Sequence, residues 1–163
     1  MRRSGSRRLR DLVDGLDLPR PFDVRELCRR VGEGRGRPIV LAPLELAALG
    51  PCGLWLATAT VDFLCYERDT SPPHQEHIVL HELGHVLCGH GGSEALGDSL
   101  GGLFPDLGGD ALKIMLARRH LGYADGQEAE AESFAYAVLD RVGDRRPDGG
   151  DGFTARLGKV LED

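Results

Sequence analysis

Several features that would define a class of protein at once are scarce in this sequence. Its 163 residues contain no apolar run near the roughly 18 residues that a membrane-spanning helix needs. The four cysteines are scattered and form no CxxC pair, which argues against a disulfide scaffold or a thiolate metal site. Asp11 and Asp14 interrupt the apolar stretch that a signal peptide needs after its basic start. We therefore expect a single cytoplasmic domain with reduced thiols and no membrane association.

Charge is distributed unevenly along the chain. Residues 1–37 hold 11 arginines against 6 acidic residues, whereas residues 38–163 hold 9 lysines and arginines against 20 acidic residues. The basic segment lacks aromatic interleaving and any recognisable RNA-binding or zinc-finger signature, so we expect a solvated helical face and no direct contact with nucleic acid. We divide the chain into a basic N-terminal helical segment at 1–37, a central domain at 38–143 and a polar C-terminal tail at 144–163.

Hydrophobic spacing predicts an α+β domain in which a short three-stranded sheet packs on helices. Helices are predicted around 9–16, from an N-cap at Asp23 to Gly32, from Ser71 to Gly89, at 110–121 and at 127–142. Strands are predicted at 38–42, 53–57 and 63–67, with a hairpin between the last two. The stretch 91–109 contains seven glycines and reads as a loop, either a lid or disordered.

The helix from Ser71 contains an HExxH motif at His81, Glu82 and His85. Its two histidines are four residues apart and therefore share one helical face, where both imidazoles can bind one metal ion. Neutral imidazoles suit zinc, and Glu82 can reach a water molecule beside the metal. The motif predicts two zinc ligands and a general base, although an ordinary amphipathic helix can also carry this pattern.

A catalytic zinc site usually needs a third protein ligand. His90 lies one residue short of the spacing HExxHxxGxxH. Three glutamates on the later helix are candidates, and the helical wheel puts Glu128 about 50° from the centre of the apolar stripe, against about 90° for Glu132 and about 110° for Glu130. Glu128 is therefore the predicted third ligand. The alternative is that Glu128 belongs to a capping box begun by Asp125.

These residues resemble the ImmA/IrrE metallopeptidases. HELGHVLCGH at 81–90 is similar to the family's HELGHxLLGH helix, and EAEAESFAYAVL at 128–139 is similar to its ExxA(N/D)xFA helix. In that register Glu128 takes the position of the family's glutamate ligand. Glu132 departs from the family's Asn or Asp, and 138–141 departs from its usual Leu-Leu-Met-Pro ending.

The resemblance implies a function for the central domain. It implies a small gluzincin-like domain that binds Zn²⁺ through His81, His85 and Glu128, with Glu82 as the catalytic base. It further implies an intracellular zinc endopeptidase involved in transcription regulation, which cleaves a helix-turn-helix repressor. Two other functions stay open: a zinc-containing binding module that sequesters a regulatory partner without cleaving it, and a nucleic-acid-binding regulator that uses the arginine-rich segment.

Parts of the substrate site are not determined by the sequence. Candidate oxyanion stabilisers are His90, His120 and Tyr123, and the substrate-binding residues are unknown. A substrate backbone is expected to pair with a free edge of the strand that ends near Tyr66. His74, His77 and Cys88 receive no role, since Cys88 is expected to be a small buried hydrophobe.

Overall fold

The computed structural model describes residues 2–47, 52–57, 60–91 and 123–144. This part of the chain is α+β, as predicted, with four helices and a three-stranded mixed sheet. The elements in chain order are α1 Arg2–Asp14, α2 Val24–Arg35, β1 Ile39–Leu44, β2 Gly53–Ala57, β3 Asp62–Glu67, α3 Pro72–Cys88 and α4 Asp125–Asp144. The predicted helix at 110–121, almost all of the glycine-rich stretch and nearly all of the polar tail lie outside the described residues.

The sheet has the strand order β1-β3-β2. β3 pairs in parallel with β1, where Asp62 faces Ile39, and antiparallel with β2, where Tyr66 faces Gly53. The predicted antiparallel pairing of the last two strands is confirmed. The expectation that the strand ending near Tyr66 has a free edge is wrong, because β3 is the central strand and both of its edges are paired.

Local sequence signals explain where the helices begin and end. The Asp23 side chain caps α2 by accepting a hydrogen bond from the Arg25 backbone nitrogen at 2.8 Å. α2 passes the predicted end at Gly32 and stops at Arg35, because Gly36 adopts the left-handed conformation, φ 63°, that closes a helix. α3 begins with two prolines after Ser71, positions where the missing N–H groups cost nothing.

One hydrophobic cluster joins the helices to the sheet. It contains Val13 and Leu27 from the two N-terminal helices together with Leu64, Leu83 and Phe134. Leu27, Leu64, Leu83 and Phe134 are completely buried. The domain boundary after residue 37 stays a prediction, but the described core draws on residues from both sides of it. Within the described ranges, no helix has the length and apolar character needed to cross a membrane.

Candidate metal centre

Two imidazoles and one carboxylate meet between α3 and α4. His81 Nε2 lies 3.1 Å from His85 Nε2 and 3.1 Å from Glu128 Oε2, and His85 Nε2 lies 3.6 Å from Glu128 Oε1. The ligand atoms that these residues offer all lie within 4.8 Å of one another. The structure therefore brings together the three predicted ligands, although His81 and Glu128 are 47 residues apart in the chain.

Close packing of the two helices makes this convergence possible. Gly84 lies in the HExxH motif and faces α4, where a Cβ atom at that position would be 3.0 Å from the carbonyl oxygen of Ala131 and 3.1 Å from its Cα. Ala131 is itself completely buried. Small residues on both helices let their backbones approach, and Glu128 lies one helical turn from this contact, where its side chain reaches both histidines.

His81 is held from its other side by Glu132. Its Nδ1 lies 2.9 Å from Glu132 Oε2, and the other oxygen of the same carboxylate lies 3.0 Å from His77 Nε2. Burial opposes ionisation of Glu132, but the hydrogen bonds and charges of the two histidines outweigh it and lower the pKa of this carboxyl. Glu132 can accept the Nδ1 hydrogen of His81, which is where a neutral His81 that binds a metal through Nε2 carries its hydrogen.

His85 is held in the same way through a relay. Its Nδ1 lies 3.0 Å from Nδ1 of His90, and His90 Nε2 lies 2.8 Å from Glu130 Oε2. When a neutral His85 binds a metal through Nε2, its hydrogen is on Nδ1 and is donated to His90 Nδ1. The hydrogen of a neutral His90 is then on Nε2, where Glu130 accepts it.

The inner faces of this group are two imidazole nitrogens and a carboxylate, which lie 3.1 to 3.6 Å from one another. With the hydrogens of both rings on the outer nitrogens, all of these inner atoms are acceptors, and a cation between them is favourable. Neutral histidines whose second nitrogen donates to an outer carboxylate or a similar acceptor are also the usual form of zinc-binding histidines. These residues form a group that could hold a metal ion, and the donor set suits one.

Glu82, the predicted base, is 2% exposed and lies on α3 beside the ligand pair. A Cβ atom on Gly53, at the start of β2, would come within 2.6 Å of Glu82 Oε1. A side chain at position 53 would therefore force this carboxylate or the Ile78 side chain to move. Glu82 is thus enclosed by α3 and β2, which fixes its position relative to the ligands one position before and three after it in the helix.

Most of the remaining candidate residues lie in the described part of the chain. The capping-box role is taken by Gln127, whose side-chain oxygen accepts from the Ala124 backbone nitrogen at 3.1 Å, so Glu128 does not serve as the box glutamate. The Tyr123 ring stacks on the His85 ring with centroids 3.8 Å apart. His74 pairs with Thr70 at 2.8 Å, and His120 lies outside the described residues.

Sequence reasoning missed the supporting residues of this centre. It gave no role to His77, considered Glu130 and Glu132 only as alternatives to Glu128 as the third ligand, and considered His90 only as a ligand or an oxyanion stabiliser. The signal that could have found them is the spacing itself: His77, His81 and His85 recur every four residues on α3, and glutamates recur at 128, 130 and 132 on α4. A carboxylate for each ligand histidine is the pattern that zinc sites favour.

No family model matches the chain, and no curated protein or solved structure shows significant similarity to it. The likeness to the ImmA/IrrE metallopeptidases therefore rests on the two motifs alone.

Proposed function

We propose that this protein is a zinc-dependent endopeptidase with a gluzincin-like arrangement of its HExxH helix and glutamate helix. The observation that carries the proposal is the convergence of His81 Nε2, His85 Nε2 and the Glu128 carboxylate, with both rings oriented by outer partners. Three ligands from the protein, with further positions left for solvent or substrate, are typical of catalytic rather than structural zinc sites. The site residues would be His81, His85 and Glu128.

When bound, zinc supplies Lewis acidity that polarises a carbonyl group and makes a water molecule more acidic. The chain itself supplies the proton transfers. A carboxylate oxygen of Glu82 accepts a proton from the attacking water and returns it to the nitrogen of the leaving amine, so the glutamate ends the reaction in its starting form. Its enclosure between α3 and β2 holds it in place for both transfers.

The end strand of the described sheet that approaches this base is β2, whose five residues are all buried. In the described part of the sheet β2 lies at one end of the strand order, and its first residue, Gly53, contacts Glu82. An extended substrate can add to such an edge through backbone hydrogen bonds, which places a peptide bond beside the base without requiring a particular side chain. We propose β2, in place of the central strand β3, as the surface that aligns the substrate.

The substrate proposal follows from the family resemblance. It is a helix-turn-helix repressor, in which an extended segment between structured parts would be cleaved. The competing proposal is a module that keeps the same metal and fold but only sequesters its partner. Both proposals predict a bound metal. They differ in Glu82, which transfers protons in the endopeptidase and does not in the sequestering module.

The test compares Glu82→Gln with the wild-type protein and with Glu33→Gln, a control at an exposed glutamate of α2. We expect all three proteins to contain one tightly bound zinc by elemental analysis. Wild type and Glu33→Gln should cleave a co-encoded helix-turn-helix repressor at catalytic amounts, while Glu82→Gln should lose at least about 100-fold in rate, the low end for a general base.

The other outcomes decide against the proposal. A wild-type protein that binds the repressor stoichiometrically and never cuts it would establish the sequestering module. A folded protein that stays zinc-free in excess zinc, with no change when His81, His85 or Glu128 is replaced, would remove the metal centre altogether.

A further inference from the structure

A second group of metal-binding side chains lies beside the first, at the end of α3. Cys88, His90 and Glu130 each offer one ligand atom, and these atoms all lie within 4.8 Å of one another. The group combines two elements, because Cys88 and His90 flank the end of α3 and Glu130 comes from α4. None of the three is among the ligands proposed for the catalytic zinc.

The turn after α3 builds this group. Gly89 adopts a left-handed conformation with φ 73°, which a residue with a side chain rarely takes. This turn lets the His90 backbone nitrogen donate to the His85 carbonyl oxygen at 3.1 Å, so the chain folds back over the helix end. His90 becomes 4% exposed, with Nδ1 facing His85 and Nε2 facing Glu130.

We propose that Cys88, His90 and Glu130 form a second site for a borderline-soft divalent metal such as zinc, and that its occupation opposes occupation of the catalytic centre. A sulfur, an imidazole nitrogen and a carboxylate oxygen form a ligand set typical of zinc. The Cys88 side chain is only partly buried, so a metal can reach it from solvent. Metal binding would displace the hydrogen of the Cys88 thiol as a proton to solvent, with no change in oxidation state.

The opposition between the sites follows from His90, which is a ligand in the second site and the hydrogen-bond partner of His85 in the first. When His85 binds the catalytic zinc through Nε2, its Nδ1 hydrogen faces His90 Nδ1 at 3.0 Å, and His90 carries its own hydrogen on Nε2, 2.8 Å from Glu130. A metal shared with Glu130 binds His90 at Nε2, the nitrogen that faces Glu130, and takes the place of its hydrogen. The hydrogen of the neutral ring is then on Nδ1, where it faces the hydrogen that His85 donates. Two donors 3.0 Å apart repel, and His85 loses the support that orients its Nε2. This consequence, unlike the second site itself, rests on the proposed zinc at His81, His85 and Glu128.

Cobalt titration tests the second site separately from the catalytic one. The full chain, kept reduced, is titrated with Co²⁺, which gives intense near-ultraviolet absorption only when a thiolate binds it. The catalytic ligands include no sulfur, so the band reports the second site. We expect the band in the wild type and in Cys52→Ser, a matched control at an exposed cysteine, and its loss in Cys88→Ser.

Two further variants complete the test. A double variant, His81→Ala with Glu128→Gln, should keep the band although it lacks two catalytic ligands, so failure of the catalytic proposal would leave this one standing. Glu130→Gln should weaken Co²⁺ binding while its unfolding stays cooperative, which separates ligand loss from misfolding. A wild type without the band, or a band that survives Cys88→Ser, would overturn the proposal.

Zinc inhibition tests the coupling. For each protein, the rate of repressor cleavage in excess zinc is divided by the rate at one equivalent of zinc. We expect this ratio to fall by about 5-fold or more in the wild type, the lower range of coupling between two binding sites, and to stay near one in Cys88→Ser. Equal inhibition of both proteins would show that the second site, even if it binds metal, does not oppose the first.

Discussion

The contact between Gly84 and Ala131 makes the packing of α3 on α4 sensitive to a single methyl group. In Gly84→Ala the new Cβ would lie 3.0 Å from the Ala131 carbonyl oxygen and 3.1 Å from both Ala131 Cα and Phe134 Cδ1. Two of these three atoms are backbone, and Phe134 is completely buried, so none can move without shifting α4. The expected result is an α4 displaced by a few tenths of an ångström and a metal centre in which Glu128 fits the two histidines less well.

A control substitution at a second glycine separates the cost of this steric contact from the general effect of replacing glycine with alanine in a helix. Overpacking of this kind costs about 1–3 kcal/mol, while alanine in a helix gains up to about 1 kcal/mol over glycine. A Cβ atom added at Gly34 in α2 would meet no neighbouring atom within 4 Å, so Gly34→Ala receives only the gain. The two variants should therefore differ in free energy of unfolding by about 1–3 kcal/mol, with Gly84→Ala the less stable.

Urea denaturation of the metal-free proteins measures this difference, since bound zinc would add its own contribution to the folded state. Zinc affinity is then measured by competition with a chelator. We expect Gly84→Ala to bind zinc about 10-fold more weakly, comparable to the loss of an outer support, and Gly34→Ala to match the wild type. Equal stability and equal zinc affinity in the two variants would refute the packing argument.

Three further perturbations test other parts of the structure. Asp62 is completely buried and binds Trp55 Nε1 at 3.0 Å and Arg35 at 2.8 Å. Asp62→Ala should therefore lower the free energy of unfolding by about 2–4 kcal/mol in urea denaturation, because its partners lose their acceptor. The control Asp17→Ala, at an exposed ion pair, should cost less than about 1 kcal/mol. Backbone hydrogen bonds, foremost that from the Asp69 N–H, lower the pKa of Glu67. Wild type should therefore be more stable than Glu67→Gln near neutral pH, and this difference in free energy of unfolding should disappear as the pH falls below the ordinary glutamate pKa of about 4.3. Glu132→Gln should weaken zinc binding by about 10- to 100-fold in the same chelator competition.

The sequence contained enough information to predict the described strands and helices and the three residues that converge at the candidate metal centre. Strands were predicted at 38–42, 53–57 and 63–67, and they lie at Ile39–Leu44, Gly53–Ala57 and Asp62–Glu67. Local signals suffice here, because short apolar runs between Gly, Pro and Asp are typical of strands. The strand order could not be predicted from the sequence. β1 and β3 pair in parallel although β2 lies between them in the chain, so their pairing depends on long-range contacts and not on the residues of either strand alone.

The outer partners of the histidines were missed for a physical reason. The helical wheel ranked the three glutamates by distance from the apolar stripe, which assumes that only apolar residues face the neighbouring helix. At a polar centre the facing surface is wider than that stripe. Glu132 and Glu130 lie at its margins, yet they contact His81 and His90. The ranking found the inner carboxylate, Glu128, because it lies nearest to the stripe.

The structure also changes how the basic N-terminal segment can be tested. Removing residues 1–37 would take Leu27 out of the hydrophobic cluster and would remove Arg35, whose guanidinium pairs with buried Asp62 at 2.8 Å. The truncated chain would then lose nucleic-acid binding simply by unfolding. A truncation therefore cannot separate a role in binding from a role in the fold.

Substitutions on the exposed face of α1 avoid this problem. Arg7, Arg8 and Arg10 are exposed, so replacing all three with glutamine should preserve the thermal midpoint and repressor cleavage. We expect neither this variant nor the wild type to form a protein–DNA complex at physiological salt in a mobility-shift assay. If these arginines instead neutralised phosphates, the wild type would bind DNA with a steep salt dependence, and the slope of log affinity against log salt would drop by about 2 to 3 in the variant. That drop would favour the nucleic-acid-binding regulator over a peptidase whose arginines serve only as a solvated surface.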